Sequence, residues 1–199
     1  GFAQFKDIDV VHNGIEVEAT YDPTSKLRLK GMLSIGDWRY TKDFDAELFD
    51  DNQESIGTGT LYLKDAKVGD AAQFVSYLEA DYKLGNKLNV DLGYRFVDNL
   101  FADYSITDSE FTTSDNAGAL KLPSYGLVDL GTTLRFNFFG NDASFRVNVN
   151  NLFDTYYIAE SNSNIHASAG SETWNGIDTR NSVWFGFGRT WNASLKYRF

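Results

Sequence analysis

Apolar and polar residues alternate with a period of two along most of the chain. Such alternation places successive side chains on opposite faces of an extended strand. No long stretch carries the spacing of three to four residues that indicates an amphipathic helix. A short run at 60–68 is predicted to form a hairpin inside a loop. The alternation predicts seven long strands, at about 11–21, 27–40, 72–84, 87–97, 124–138, 143–153 and 182–199.

Each predicted strand has one apolar face and one polar face. Leu33, Leu92, Leu134 and Leu195 lie on the apolar face, where Arg189 is the one charged residue. An arginine at the centre of a bilayer costs about 2–4 kcal/mol. We therefore expect Arg189 either close to the outer membrane interface or at a β-bulge that shifts the strand register.

The connections between these strands are alternately short and long. Tight turns are predicted at 22–26, 85–86 and 139–142, and long loops at about 41–71, 98–123 and 154–181. This alternation is typical of bacterial outer-membrane barrels. The strands also reach the roughly 9–11 residues that a tilted membrane crossing needs. The pattern predicts an all-β fold, a transmembrane antiparallel up-and-down β-barrel of which about seven strands are present.

Composition excludes several functions. The 199 residues carry a net charge of -10, which disfavours nucleic-acid binding. With no Cys and only two His, a disulfide scaffold, a thiolate metal site and a multi-His metal centre are excluded. No catalytic motif is present, so neither enzyme activity nor a cofactor is expected. A soluble β-sandwich also alternates, but its strands are usually shorter, and here aromatic residues gather at both ends of the apolar face.

Four sequence motifs carry a resemblance to a known family. The stretch NVNNLFDTYY at 148–157 and the ending GRTWNASLKYRF at 188–199 resemble the last two strands of TonB-dependent outer-membrane receptors. The stretches HNGIEVE at 12–18 and LPSYGLVDL at 122–130 fit the same family. The matches occur in family order and span the chain from about residue 10 to its end.

The resemblance implies more protein than these residues contain. Receptors of this family have a barrel of 22 strands, a plug inside it and an N-terminal segment that contacts TonB. We therefore expect residues 1–199 to be the C-terminal segment of such a barrel, with the plug and earlier strands outside this chain. The implied function is TonB-energised uptake of a nutrient, whether an iron chelate, cobalamin, a glycan or a peptide.

The resemblance also implies location and partners. The chain is expected in the outer membrane, with long loops outside the cell and with the tight turns and the C-terminus in the periplasm. Expected partners are the lipid bilayer, the remaining strands and plug, TonB, the barrel-assembly machinery and, as a further candidate, a surface lipoprotein. Tyr197 and Phe199 are expected to form the assembly signal. Charges on the polar face are expected to pair with one another or to contact the plug.

Two loops contain candidate binding residues. Aromatic and polar side chains on an outer loop can contact a captured substrate, so His166, Trp174 and Arg180 are candidates. Tyr156 and Tyr157 lie within the family motif and are expected to pack at the barrel rim. The acidic stretch 43–54 offers hard oxygen ligands for an ion, and its candidate ligands are Asp43, Asp45 and Glu47.

Two alternatives remain open from the sequence. One is a self-contained barrel of eight strands, closed by residues 2–8, that acts as a structural or adhesion protein or a narrow pore. The other is a barrel enzyme, which the scarcity of His disfavours.

Overall fold

The computed structural model describes residues 2–5, 7–106 and 108–199. A 3-10 helix spans Ser109–Thr112. No helix among the described residues is both long and apolar enough to cross a membrane. The strands, in chain order, are β1 (Phe2–Phe5), β2 (Val10–Thr24), β3 (Leu27–Tyr40), β4 (Phe44–Phe49), β5 (Ser55–Leu61), β6 (Phe74–Leu84), β7 (Leu88–Asp98), β8 (Tyr125–Phe138), β9 (Asn141–Asn150), β10 (Ile158–Ser161), β11 (Thr173–Trp174), β12 (Ile177–Asp178), β13 (Val183–Phe185) and β14 (Thr190–Tyr197).

Seven strands form one large sheet in which each strand is antiparallel to its neighbours. The spatial order is β14-β9-β8-β7-β6-β3-β2, so neighbours in the sheet follow one another along the chain. The first six predicted strands are confirmed, with ends that shift by at most three residues. The period-two pattern therefore predicts the fold class and the order of the sheet.

The predicted seventh strand at 182–199 is wrong as a single element. Residues Val183–Phe185 pair with β10 outside the large sheet, and the chain rejoins the large sheet only at Thr190. Between them, Gly186 N donates to Tyr157 O, and Arg189 N donates to Asp154 Oδ1 at 2.7 Å. These contacts hold the chain out of the ladder, so Arg189 does not lie within a membrane strand.

The loop hairpin predicted at 60–68 lies earlier in the chain. It is formed by β4 and β5, which pair from Phe44 opposite Leu61 to Phe49 opposite Ser55. The acidic stretch 43–54 is thus largely a strand and its turn. Since β1 pairs with β4 in this small sheet, the alternative in which residues 2–8 close an eight-stranded barrel is wrong.

Two of the three tight turns contain residues in left-handed conformations. Phe139 and Gly140 both have positive φ, 48° and 80°. A two-residue hairpin turn whose twist matches that of the flanking strands can require positive φ at both positions. Gly85, with φ 74°, begins the turn between β6 and β7. These two turns and the one between β2 and β3 place the long connections together at the opposite end of the sheet.

The apolar face of the large sheet has no protein cover. Leu33, Leu92, Leu134 and Leu195 are 37%, 48%, 44% and 69% exposed. Among the strands and the helix of the described chain, each strand of the large sheet contacts only its neighbours in that sheet, and no second layer packs on the sheet. A soluble β-sandwich would bury these residues against a second sheet. Their exposure therefore argues against the soluble β-sandwich.

Side chains on the polar face pair across neighbouring strands. Lys30 on β3 lies directly opposite Glu79 on β6, with Nζ 2.8 Å from Oε1. Arg146 on β9 makes two hydrogen bonds, of 2.8 and 2.9 Å, to the carboxylate of Asp91 on β7. Gly131 lies between them on β8, where any Cβ would overlap both side chains. The polar face is thus organised by pairs of opposite charge, as expected from the sequence.

Leu33→Arg tests what covers the apolar face. In lipid vesicles, we expect this substitution to lower the free energy of unfolding of the full-length protein by about 2–4 kcal/mol, because the charge would face hydrocarbon. Ser34→Arg is the matched control, since Ser34 points to the polar face and its hydroxyl contacts Glu16. Equal effects of the two substitutions, measured by denaturant titration, would contradict a lipid-covered face.

Gly131→Ala tests the packing over the Asp91–Arg146 pair. The added methyl must displace the bidentate pair, and overpacking of this kind costs about 1–3 kcal/mol. Gly31→Ala is the control, because its Cβ would meet Leu78 Cδ2 at an ordinary 3.4 Å. Thermal unfolding should separate the two variants, and a Gly131→Ala protein as stable as the control would show that the pair is easily displaced.

Candidate functional site: the loop cap

The three long connections form a folded body, here called the loop cap, which consists of 41–73, 99–124 and 151–189. Nearly all fully buried hydrophobic residues of the described chain belong to these segments or to the strand ends next to them. They form two hydrophobic clusters rather than one core. The buried hydrophobic core therefore lies in the long connections. The sequence predicted the length of these connections but not that they fold around a core.

The first cluster joins the first two segments. Phe44, Leu63 and Phe111 are at most 3% exposed and pack together with Leu61 and Ala66. The hydroxyl of Tyr104 donates to Lys67 O at 2.7 Å, which ties the second segment to the first. Burial raises the pKa of Tyr104 well above its ordinary value, so this hydroxyl keeps its proton and stays a donor.

The second cluster joins the second and third segments. Leu100, Leu122, Ile158 and Ile177 are buried in it, and Trp174 packs against its edge. Trp174 also meets Phe185 in an edge-to-face contact with ring centroids 5.0 Å apart. These contacts fix the third segment against the second.

Two buried asparagines satisfy backbone groups of the cap: Asn164 between the second and third segments, and Asn181 within the third. The side chain of Asn164 accepts from Leu120 N at 2.6 Å and donates to Gly118 O at 2.8 Å. The side chain of Asn181 accepts from Ile165 N and donates to Ile165 O. Buried backbone groups need such partners. Sequence reasoning missed both residues, since an isolated Asn in a loop carries no signal of its contacts.

The stretch 148–157 forms the rim between the large sheet and the loop cap. Asn151 is buried with φ 50°, and its side chain bonds to Thr155 N, Thr155 O and Phe187 O. Tyr157 stacks on Tyr125 with centroids 4.1 Å apart. Tyr156 is 74% exposed. Both tyrosines were expected to pack at the rim. Tyr157 does so by stacking on Tyr125, whereas Tyr156 faces outward.

The three candidate contact residues occupy different environments. His166 Nε2 lies 3.0 Å from Gly118 O, which anchors the ring to the second segment. Trp174 is partly buried in the second cluster. The Arg180 side chain is 65% exposed and lines a cleft of about 410 Å³ with residues 168–172 and 178–179. Of the three, Arg180 presents the most accessible polar group.

Arg180 is held in place by a buried carboxylate. The guanidinium donates to both oxygens of Asp178, at 2.9 and 2.7 Å, and the Arg180 backbone N–H donates to the same side chain. The Asp178 side chain is only 1% exposed. The hydrogen bonds from Arg180, followed by one from Ser171, hold the pKa of Asp178 well below its ordinary value of 3.8.

The three candidate metal ligands lie on or beside β4. The Asp43 carboxylate accepts from Lys64 N at 2.8 Å, and Asp45 accepts from the Thr60 hydroxyl at 2.9 Å. Glu47 lies opposite Thr58 in the hairpin. Across residues 2–5, 7–106 and 108–199, no group of three His, Cys, Asp or Glu side chains is placed to hold a metal ion.

The charge of the chain is concentrated in the loop cap. Its three segments contain 16 Asp and Glu residues and six Lys and Arg residues. That excess of ten carboxylates equals the net charge of the whole chain, so the remaining residues are neutral in sum. The cap therefore presents a negative potential, which attracts cations and repels anions.

Tyr197 and Phe199 lie at the opposite end of the sheet, beside the tight turns. The Tyr197 hydroxyl accepts from Asn141 Nδ2 at 2.8 Å, and its ring contacts Phe138 and Phe199, each with centroids 6.3 Å apart. Phe199 is fully exposed. The structure brings the two expected signal residues together at the end of the last strand.

Asp178→Ala tests the anchor of the third segment. We expect amide protection of residues 162–182 in the full-length protein to fall by about tenfold or more at pH 7, because hydrogen bonds to a charged group are lost. Since the Asp178 pKa is lowered in the fold, its stabilisation is complete above the ordinary value of 3.8 and is lost as the pH falls through the lowered pKa. The unsubstituted segment should therefore stay protected from pH 7 to about pH 4.

Hydrogen exchange followed by mass spectrometry measures this protection. Glu172→Ala is the control, because it removes an exposed carboxylate from the same segment. Equal protection in Asp178→Ala and Glu172→Ala would show that the buried pair does not hold the segment.

Known proteins resemble this chain in sequence and in fold. The sequence is 29% identical over 167 residues to the ferrioxamine B receptor of Salmonella typhimurium strain SL1344, and the match covers 82% of this chain and 20% of that protein. The receptor of strain LT2 matches equally. The chain thus spans about one fifth of the length of the curated relatives it matches. No family model matches the sequence.

A solved structure supports the fold. The siderophore receptor PiuA from Acinetobacter baumannii superposes with a TM-score of 0.59 at 17% identity, over 94% of this chain and 21% of that one. At this identity, the likeness concerns the fold alone. The matched relatives are receptors rather than enzymes. In sequence and in fold, the chain resembles the C-terminal part of the barrel of a TonB-dependent outer-membrane receptor.

Proposed function

We propose that this chain is the C-terminal wall segment of an outer-membrane receptor that imports a ferric siderophore. Residues 1–199 supply strands of a barrel of about 22 strands, and a plug outside this chain fills the barrel. TonB supplies the energy through the plug. The chain itself makes and breaks no bond, and its part is to provide wall, lumen lining and loop cap.

The observation that carries this proposal is an uncovered apolar sheet face joined to a folded loop cap. A sheet of this kind needs hydrocarbon on one side, and its open edges at β2 and β14 need further strands. The 29% identity to a ferrioxamine B receptor favours a siderophore as cargo over cobalamin, a glycan or a peptide.

The polarity of the sheet supports the orientation. Outer-membrane barrels have short periplasmic turns and long extracellular loops. We therefore place the loop cap outside the cell and the turns, with Tyr197 and Phe199, in the periplasm. There the last strand is available to the barrel-assembly machinery, and a surface lipoprotein remains a candidate partner of the cap.

The charge of the cap supports a class of cargo. Its excess of carboxylates favours a neutral or cationic ferric chelate over an anionic one. Among the candidate contacts, Arg180 offers an exposed donor, while His166 and Trp174 position the same segment. An ion-binding role for Asp43, Asp45 and Glu47 has no support from their placement.

Uptake of radioactive iron tests the function. Cells that lack the full-length receptor should lose most uptake of ferrioxamine B, a loss that the unsubstituted gene restores. Cells that lack TonB should show the same loss, because the import step needs energy. An anionic ferric catecholate serves as the comparison chelate and should be taken up more slowly through this receptor.

Two results would contradict the proposal. Unchanged ferrioxamine B uptake in the deletion strain would reject this siderophore as cargo. Uptake that proceeds at full rate without TonB would reject the energised mechanism.

A further inference from the structure

A narrow groove lies on the apolar face of the large sheet, at the end that carries the tight turns. Its volume is about 360 Å³, in the lower part of the range of about 300–1,000 Å³ that ligand pockets occupy. Residues of β8, β9 and β14 line it, all of them uncharged: Phe136, Phe138, Ala143, Leu195 and Tyr197. A ligand that fills this groove must therefore be apolar along most of its length.

Strand register builds the groove around one small residue. Ala143 on β9 lies directly opposite Phe136 on β8 and directly opposite Tyr197 on β14. The two rings form the walls of the groove, and Ala143, which is 7% exposed, forms its floor. Because β9 lies between β8 and β14, a further barrel strand beside β14 would extend the sheet without covering this floor.

The turn end of the groove offers a hydrogen-bond donor. Asn141, the first residue of β9, donates through Nδ2 to the Tyr197 hydroxyl at 2.8 Å, and that hydroxyl can still donate its own proton. The charged neighbours Asp142, Lys196 and Arg198 alternate to the polar face, where they line a basin. The groove thus offers a donor for an oxygen acceptor without selecting the charge of the molecule that carries it.

The turn beside the groove exposes an apolar ring. Phe139 has φ 48°, in the left-handed region that disfavours bulky side chains, at a turn position where Asn or Gly is preferred. Its ring is 86% exposed and contacts the Phe138 ring, with centroids 4.5 Å apart. Phe138 in turn contacts Tyr197, and Tyr197 contacts Phe199. These four rings form a continuous exposed apolar patch at the end of the groove, and such patches mark sites of contact with a membrane or another molecule.

We propose that this groove binds one phospholipid of the periplasmic leaflet. An acyl chain lies over Ala143, a phosphate oxygen accepts the proton of the Tyr197 hydroxyl, and the rings of Phe138 and Phe139 pack beside the glycerol end of the chain. Because groove and donor act together, this lipid stays bound while lipids elsewhere on the apolar face exchange. The inference rests on the proposed function, which places the tight turns on the periplasmic side.

A second groove on the same face provides an internal comparison. It also measures about 360 Å³, but it lies farther from the tight turns, and its one aromatic side chain is Tyr94, whose hydroxyl lies over Gly126. Its other apolar members are Leu29, Leu78, Ala80, Leu92 and Val128. If volume alone decided which lipids stay bound, the two grooves would hold lipid equally.

Photolabelling of the full-length receptor tests the site. The receptor is reconstituted in vesicles of phosphatidylethanolamine and phosphatidylglycerol with a trace of phospholipid that carries a diazirine in one acyl chain. After irradiation and digestion, mass spectrometry locates the label. We expect residues 136–143 and 195–197 to be labelled about tenfold more than residues 78–80 and 92–94, the effect of one hydrogen bond to a charged group. Equal labelling of the two grooves would overturn the proposal.

Native mass spectrometry of the detergent-extracted receptor measures the bound lipid directly. Ala143→Phe fills the floor and should reduce the fraction of receptor that keeps one phospholipid by about tenfold, the effect of removing roughly two methylene groups from apolar contact. Tyr197→Phe keeps the ring but removes the donor, and it should cause a loss of similar size even if Ala143→Phe does not fold. Ala193→Phe is the control, because it adds the same ring to an exposed apolar-face position of β14.

Three results of this measurement would overturn the proposal. They are an unsubstituted receptor that keeps no phospholipid, an equal loss in Ala193→Phe, and a retained mass that belongs to lipopolysaccharide or to a polypeptide.

The two proposals fail in different ways. Equal labelling of the grooves with normal ferrioxamine B uptake would reject the lipid site and leave the transport function intact. Selective labelling with no effect of receptor deletion on uptake would reject the cargo and leave the lipid site intact.

Discussion

The cover of the apolar sheet face is the constraint on which the rest of the structure depends. Side chains such as Leu33 and Leu195 project from seven strands with no protein layer above them. Burial of apolar surface is the main favourable term in folding, so this face needs a hydrocarbon solvent. In hydrocarbon the backbone must satisfy its own hydrogen bonds, which the continuous antiparallel ladder achieves between its two edges.

Because of that constraint, the buried protein core lies in the loop cap rather than on the sheet. Since lipid takes the place of a second layer, tightly packed residues such as Phe111 and Ile158 appear where the chain leaves the membrane region. The loop cap is therefore a small folded body with its own clusters, buried asparagines and the Asp178–Arg180 pair. A surface held this firmly offers defined groups to a ligand, whereas mobile loops would have to be ordered on binding.

The polar face is organised by contacts between its own side chains, whereas the apolar face is not covered by protein. Its charges are paired across strands where the ladder brings opposite signs together, as for Lys30 with Glu79. Glycines give room for these contacts: Gly131 lies beneath the Asp91–Arg146 pair, and Gly93 lies beneath the Tyr77 ring. At the turn end of this face, Arg28 pairs with Asp22, and the buried Asn89 donates to Asp81. The charges thus divide the molecule into an acidic cap and a wall that is neutral in sum.

The sequence by itself determined the fold class, six of the seven long strands and the alternation of turns and loops. It could do so because a strand's faces depend on neighbouring positions in the chain, and two-residue turns depend on local conformations such as those of Phe139 and Gly140. The four family motifs added the resemblance that the comparisons support.

Only the tertiary structure decided where the seventh strand breaks, how β1 pairs and what surrounds each candidate residue. The apolar pattern continues through 183–189, but hydrogen bonds from distant residues, Asp154 and Tyr157, remove that stretch from the ladder. The partners of Arg180, Asn164 and Asn89 are likewise set by packing between segments or by strand register. Local periodicity contains no information about such contacts, because they join residues that the chain brings together only when it folds.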